Sequence, residues 1–449
     1  MKKENKKSSI SVINPNAAGI DVGSTFHYVA VPEDRYEQPV RKFESFTRDL
    51  HNLCKWLKEC RIKTVAMEST GIYWVQLFLI LEEYGFDVFL VNAHHVKNVS
   101  GRKTDVSDCQ WLQQLHSYGL LSASFQPEGM MRSLRGYMRH RKNLTQNYAT
   151  HILHMQKAFE QMNIKLHNVL ADITGKSGQL IIKAILAGER DPEKLSGLAN
   201  EMVKSTKEEI IKSLEGNWQE EPLFELKQAY ELYDFYKEKI RECDAQIEKT
   251  LQKFNPDIDT SEYDKAPRKV YTKNKLNFNG TLYLKDLLGV DVTKIFGISE
   301  INALEIVSEV GLDMTKWPTE SHFTSWLNLA PNNQISGGKK LKRRNKKKKN
   351  HASQTFLMAG YAVQRSNNWL GMFHRRIKSK AGPLVATRAT ARKIAIIFYH
   401  MIKGQLEFKP IPVEQYVKQL QENKLAYLKK QAIKMGMSLA PLPVYESVS

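Results

Sequence analysis

Between residues 17 and 127 the chain alternates short apolar runs with helical periods, and that alternation restricts this part to a layered α/β domain. AAGIDVG is a short apolar run ending in Gly23. FHYVAV follows after Ser24 and Thr25, and VRKFESF alternates apolar with polar residues. Leu50 to Cys60 has a helical period. KTVAMES reads as a buried strand, IYWVQLFLILEEYG as an apolar helix closed by Gly85, and FDVFLVNA as another buried strand. Residues 104–119 read as a helix closed by Gly119.

Three leading strands, then helix, strand, helix, strand, helix, is the order of an RNase H-like mixed sheet. From about residue 128 the pattern becomes helical. Leu134, Tyr137, Leu144, Tyr148, Ile152, Met155 and Phe159 recur every three to four residues. Leu226, Tyr233, Ile240, Ile247 and Phe254 repeat every seven, with Ala229, Tyr236 and Cys243 three beyond. This fits a helical hairpin or coiled coil, and equally one buried face in a bundle. Residues 173–222 read as short helices with loops, and 255–280, polar with two prolines, as a linker. A last compact, mostly α region spans about 284–405. In it KIFGISEINALEIVSEVG has Gly at both ends of a helical period. That suits a helix-hairpin-helix element holding a DNA phosphate on its amides, and equally a plain helix between glycines. The predicted organisation is a basic tail over 1–16, an α/β domain over 17–127, a helical or coiled-coil region with linker over 128–280, the 284–405 region, and a tail helix within 406–449.

Charge narrows the function. The 449 residues carry a formal net charge of +19, which points to a polyanion, with nucleic acid the usual one. No run of 18 apolar residues exists, so no membrane span is expected. MKKENKKSSISVINPN lacks the apolar core of an export signal. Cys54, Cys60, Cys109 and Cys243 are scattered without zinc-finger spacing, which suits a reducing cytoplasm.

Four carboxylates stand at informative places. Asp21 ends the first strand and Glu68 lies near the end of a buried strand. Asp105 and Asp108 are three apart at a helix start and share one face. Clustered carboxylates repel one another unless a cation neutralises them, and hard oxygen ligands suit Mg²⁺ or Mn²⁺. Two such ions can clamp the attacking and leaving oxygens of a phosphodiester. Asp105 reads equally as a helix N-cap. GIDVGST also opens sugar-kinase and actin-like ATPase folds, but no second Gly-rich phosphate loop with an Asp follows. His94 and His95 adjoin a strand end and read as a solvated loop. His151 and His154 read as packing or phosphate contacts.

In HFTSWLNLAPNNQISGGKKLKRRNKKKKN, nine of the eleven residues from Lys339 to Lys349 are Lys or Arg. A run this dense repels itself unless it meets phosphates, or else is a solvated loop. Lys339, Lys340, Arg343, Arg344, Lys346, Lys347, Lys348 and Lys349 are candidate nucleic-acid contacts. Ser336 precedes Gly337 and Gly338, which let backbone approach a phosphate closely. Spacing alone favours a turn residue there, while a hydroxyl so placed could also attack phosphorus. Arg388 and Arg392 lie four apart beside Lys393, and Arg132, Arg135, Arg139 and Lys142 make a similar stripe. With Arg102 and Lys103 they complete the candidate phosphate contacts, though such stripes also suit solvated helices.

Taken together, GIDVGS, AMESTGIYW, VNAHHVKNVSGRKTDVSDCQWLQQLHSYGLL, FGISEINALEIVSEVG, HFTSWLNLAPNNQISGGK, SNNWLGMFHRR and ATARKIA resemble the transposases of insertion-sequence family 110, the bridge-RNA-guided recombinases. The match runs from about residue 18 to 405. The resemblance implies a RuvC-like domain with a DEDD set at Asp21, Glu68, Asp105 and Asp108, a transposase domain with its catalytic serine at Ser336, and metal-assisted serine transesterification on DNA. It further implies a noncoding RNA pairing with donor and target DNA. The acidic domain of one protomer would work with the serine domain of another, in a homodimer or homotetramer at the nucleoid of a bacterial or archaeal cytoplasm. Two departures stand out: Asn328 occupies a position where Gly is expected, and the lysine run is unusually dense.

Overall fold

A computed structural model describes residues 11–92, 105–127, 129–258, 274–331, 335–337, 339–340 and 350–440. The chain divides into two compact units, residues 1–126 and 127–449.

The first unit holds β1 (Ala17–Val22), β2 (Phe26–Ala30), β3 (Val40–Glu44), α1 (Thr47–Glu59), β4 (Thr64–Glu68), α2 (Trp74–Glu83), β5 (Asp87–Val91) and α3 (Asp105–Ser117). Its sheet runs β3-β2-β1-β4-β5. β1 pairs antiparallel with β2 and parallel with β4, and β4 pairs parallel with β5. Side chains alternate across the sheet, so Ala18, Ile20 and Val22 join Val65 and Met67 in a core with Leu53 and Leu57 of α1 and Leu77 and Leu81 of α2. The opposite face of β1 carries Ala17, Gly19 and Asp21 and is covered by α3. A Cβ on Gly19 would collide with the backbone of Cys109 and Gln113, so α3 rests on β1 backbone to backbone. The Gln113 side-chain amide donates to the Ala17 carbonyl at 3.3 Å.

Residues 13–16, read from sequence as the end of a tail, are pinned to the sheet layer. The amides of Ile13 and Asn14 both donate to the Ser117 carbonyl at 2.9 Å, and the Asn14 side chain donates to the His116 carbonyl at 2.8 Å. These bonds satisfy carbonyls left open at the end of α3.

The second unit opens with α4 (Gly129–Gln161), followed by α5 (Leu166–Val169), α6 (Lys176–Leu186), α7 (Pro192–Ser196), α8 (Lys207–Leu214) and α9 (Glu220–Gln252). α4 and α9, 33 residues each, run antiparallel for about 50 Å. Lys157 pairs with Glu225, Tyr148 stacks on Tyr233, and Arg141 meets Asp244. The heptad residues Leu226, Ala229, Tyr233, Cys243 and Ile247 are buried along this seam. The short helices α5–α8 cap one end, sharing a core with Phe159 and Leu226. α8 begins with a capping box between Thr206 and Glu209. Farther along the pair, Asp244 accepts from Arg141 Nε at 2.5 Å and from the Asn277 side chain at 2.9 Å, tying the last part of the 255–280 segment to both helices.

The rest comprises α10 (Gly280–Leu288), α11 (Glu300–Val310), α12 (Glu320–Trp326), β6 (Ile335–Ser336), β7 (Lys339–Lys340), α13 (His351–Ala362), α14 (Trp369–Ala381), α15 (Pro383–Gly404) and α16 (Val413–Lys434). Phe323, Phe356, Phe398 and Tyr399 form its aromatic centre, where the Tyr399 hydroxyl donates to the Trp317 carbonyl at 2.8 Å. No described helix is long and apolar enough to cross a membrane. All four cysteines are free and buried.

Candidate active site and nucleic-acid interface

The acidic edge is set by strand register. β1 and β4 pair residue by residue from Ala17↔Thr64 to Ile20↔Met67, and Asp21 and Glu68 each follow their strand's residue in that last pair. Both lie at the C-terminal ends of neighbouring parallel strands, on the face that α3 covers. In open α/β sheets a ligand crevice forms outside such strand ends. Glu68 is buried and accepts from the Thr70 hydroxyl at 3.2 Å. α3 runs antiparallel to β1, because Cys109 and Gln113 lie over Gly19 while His116 meets Thr64 at the strand's other end. Its first turn therefore stands over Asp21, and this turn carries Asp108. Asp105 is the first residue of α3, and its side chain lies outside the described residues.

Cys109 registers the electrostatics of this edge. Burial, then the negative charge of Asp21 and, more weakly, of Asp108, push its thiol up to about 12. Asp21 and Asp108, on different elements, thus act on one atom. Carboxylate oxygens are the donor type that suits a hard divalent cation. Among the described residues no group of three or more His, Cys, Asp or Glu side chains is close enough together to hold a metal ion.

Sequence reasoning missed His116. It lies fully buried beneath the sheet, with Nε2 2.8 Å from the Thr64 hydroxyl and its ring 4.6 Å from that of Phe89. Burial pushes its pKa down to about 4. Nothing in a lone His near a helix end signals this role.

In the second unit β6 and β7 pair as an antiparallel hairpin. Ser336 in β6 pairs with Lys339 in β7, and Gly337 takes φ 55° in the turn. The left-handed region is open to Gly at no steric cost, which explains the glycine after the serine. Ser336 is therefore the last strand residue before the turn, and its side chain lies outside the described residues, as do those of Lys339 and Lys340. His94, His95, Arg102, Lys103, Arg343, Arg344, Lys346, Lys347, Lys348 and Lys349 also lie outside them. Asn328, standing where Gly is expected, has φ 56°. Asn tolerates that conformation better than other non-Gly residues, so the substitution keeps the turn.

The arginine stripes divide. Arg139 donates through Nε and Nη2 to the two oxygens of Glu309 at 2.6 and 2.8 Å, holding α4 to α11. A phosphate would have to break that bidentate pair. Arg132 donates to the Pro127 carbonyl at 3.2 Å, and Arg135 is half-buried. Burial, reinforced by the charge of Arg139, lowers the Arg135 pKa to about 10. Arg388 is exposed on α15 and Arg392 is half-buried. Gly297, the first glycine of the helix-hairpin-helix candidate, has φ 86° and packs against Ala359 of α13 and Val363 just after it. Its place is set by interior packing. His151 stacks on Tyr236 at 5.4 Å and meets His154 edge-on at 5.5 Å, a packing role.

Two family models match the chain. A DEDD model of the IS110 type, described as Transposase, matches residues 18–164. A model described as Transposase IS116/IS110/IS902 family matches residues 291–375. Together they cover just over half of the chain, and no curated protein matches it. The first spans the five-stranded sheet, α3 and α4, and a DEDD transposase domain on a mixed sheet suggests an RNase H-like fold. The second spans the β6–β7 hairpin.

Proposed function

Because the chain belongs to the IS110 family of transposases, and is thus an enzyme that recombines DNA, we propose that it does so by serine transesterification at a centre built from Asp21, Glu68, Asp105, Asp108 and Ser336. The observation that carries this reading is the convergence of Asp21 and Glu68 on adjacent strand ends beneath the first turn of α3, with Asp21 and Asp108 acting on one thiol.

The four acids of this RuvC-like domain would hold Mg²⁺ or Mn²⁺, which when bound neutralises charge on the scissile phosphate. Ser336 Oγ attacks phosphorus and gives up its proton. A phosphoserine ester forms as the bond to the leaving sugar oxygen breaks, and that oxygen takes up a proton. A sugar hydroxyl of the exchanged strand then attacks the phosphoserine and restores Ser336. The glycines after Ser336 leave room for the backbone of the nucleic acid to approach. The acids of one protomer serve the serine of another in a homodimer or homotetramer, acting at the nucleoid in the cytoplasm.

Strand grip comes from the Lys339–Lys349 run and from Arg102, Lys103, Arg132, Arg135, Arg388 and Arg392, groups suited to phosphates. They carry no base code, and the chain has no zinc finger or basic zipper, so target choice falls to a bound noncoding RNA that pairs with donor and target DNA.

The test incubates the full-length protein with donor DNA, target DNA, Mg²⁺ and RNA transcribed from the flanks of its coding frame. A denaturation-resistant protein–DNA adduct should map to Ser336 and vanish in Ser336→Ala. Cleavage with no adduct would instead make water the nucleophile, as in a metal-only nuclease. Recombination by RNA-free protein would refute the guided step alone.

A further inference from the structure

Three cations crowd one place in the second unit, with no acid among the described residues paired to them. Arg376 on α14 and Lys393 on α15 both lie over the Phe373 ring, at 5.6 and 5.0 Å from its centroid, and Lys393 is 6.0 Å from the Trp369 ring. Arg392 is the neighbour of Lys393 on α15. The Nε atoms of Arg376 and Arg392 are buried without an acceptor. The Tyr416 ring, on α16, lies tilted against Trp369 with centroids 5.9 Å apart, near the charge of Arg376. Burial, then the charges of Arg376 and Arg392, lower the Lys393 pKa, and among the described residues no carboxylate opposes them.

Such a cluster is costly in the free protein. Like charges repel, and a desolvated guanidinium nitrogen without an acceptor forfeits a hydrogen bond. Ordinary surface lysines avoid this by facing water or a carboxylate. Here ring faces hold two of the cations from below, which stabilises them partly but supplies no acceptor. A group with several anionic oxygens would supply what is missing: a countercharge for three cations and acceptors for their guanidinium and ammonium groups.

We propose that Arg376, Arg392 and Lys393 form a seat for a backbone phosphate of nucleic acid, walled by Phe373, Trp369 and Tyr416. The inference rests on the reading of the chain as a nucleic-acid enzyme and extends it to Arg376, which sequence patterns did not single out, and to Lys393, noted there only as the neighbour of Arg392. A phosphodiester fits because the seat offers guanidinium forks and an ammonium, which match phosphate oxygens. The strand could be DNA or RNA, and the two share this chemistry.

The experiment measures binding of a short DNA duplex and of an RNA hairpin to full-length protein, without divalent metal, across a salt series. Arg376→Gln and Lys393→Gln are compared with Lys430→Gln, which removes one charge from the exposed face of α16. Each seat variant should lose about tenfold in affinity for at least one probe, with the salt slope shallower by about one, while Lys430→Gln changes neither appreciably. The probe that loses affinity identifies the strand. Lys393→Arg should restore binding, which separates charge from packing. Without ligand, Lys393→Gln should melt higher than wild type, since a repulsion is gone. Pyrophosphate should raise the melting temperature of wild type and leave that of the Arg376→Gln, Lys393→Gln double variant unmoved. If both seat variants bind both probes as Lys430→Gln does, the proposal is wrong. Failure of wild type to cut DNA would sink the proposed chemistry and leave these binding outcomes untouched.

Discussion

Gly19 of β1 touches the backbone of Gln113 in α3 with no space for a side chain between them. This contact sets how deeply α3 lies on the sheet, and so where its first turn stands relative to Asp21. Gly19→Ala would push the helix off the strand. Overpacking of this kind costs about 3 kcal/mol, and here the opposing atoms are backbone and cannot rotate away. Thermal melting of the variant should show that loss in the first unit. Cleavage should fall even where the protein stays folded, because the helical acid moves from the strand-end acids. Wild-type stability in Gly19→Ala would mean that α3 sits farther from β1.

Removing a carboxylate from the acidic edge should separate folding from chemistry. Asp21→Asn keeps the shape and deletes a charge, so strand cleavage should drop by about 10³-fold while the melting temperature holds or rises. The Cys109 thiol supplies an independent readout. With Asp21 neutral its pKa should fall, since one of the two charges opposing thiolate formation is gone. Thiolate absorbance titrated in the folded protein would check the direction, and an unchanged titration would place Asp21 away from Cys109.

His116 gives the first unit an acid limit. Its folded pKa of about 4 lies below the ordinary value of 6.5, so the unfolded chain binds the proton first. Above pH 6.5 the group is neutral in both states and costs nothing. As pH falls from 6.5 toward 4 it should withdraw about 3 kcal/mol of stability. His116→Gln should flatten that decline in a series of melts, and an equally steep decline would assign the acid limit elsewhere.

The Arg141–Asp244 pair is buried on both sides, with side-chain exposures of 4% and 0%. Asp244→Ala leaves a guanidinium without its carboxylate between the two long helices. The expected loss is about 3–5 kcal/mol in chemical denaturation. Replacing both residues with apolar ones of similar volume should recover much of it.

The parts of the fold that were legible share one property: a local pattern decides them. Buried runs such as KTVAMES fix strands, and the heptad through Leu226, Tyr233 and Ile247 fixes one face of α9. Asp21 and Glu68 were legible because strand ends can be counted. What stayed hidden depends on residues distant in sequence. The neutral burial of His116 follows from Thr64 and Phe89, the capture of Arg139 follows from Glu309, and the anchoring of Ile13 and Asn14 follows from Ser117. A stripe of arginines looks the same from sequence whether phosphates or glutamates face it. The cluster at Arg376 and Lys393 was invisible for the same reason: α14 and α15 each bring part of it.

The cap at the end of the long helices leaves and re-enters the pair at one point. The Asn217 amide donates to the Met162 carbonyl at 2.8 Å, and the Lys165 amide to the Ser213 carbonyl at 2.8 Å. The intervening stretch is a closed excursion, cinched at its neck. Lengthening a loop between α6 and α8 would enlarge that excursion without shifting one long helix along the other, since the neck absorbs none of the added chain. Loop closure grows only slowly more costly with length, so the distal end of the pair is where this architecture can accept new sequence while the distance between the helices' far ends stays unchanged.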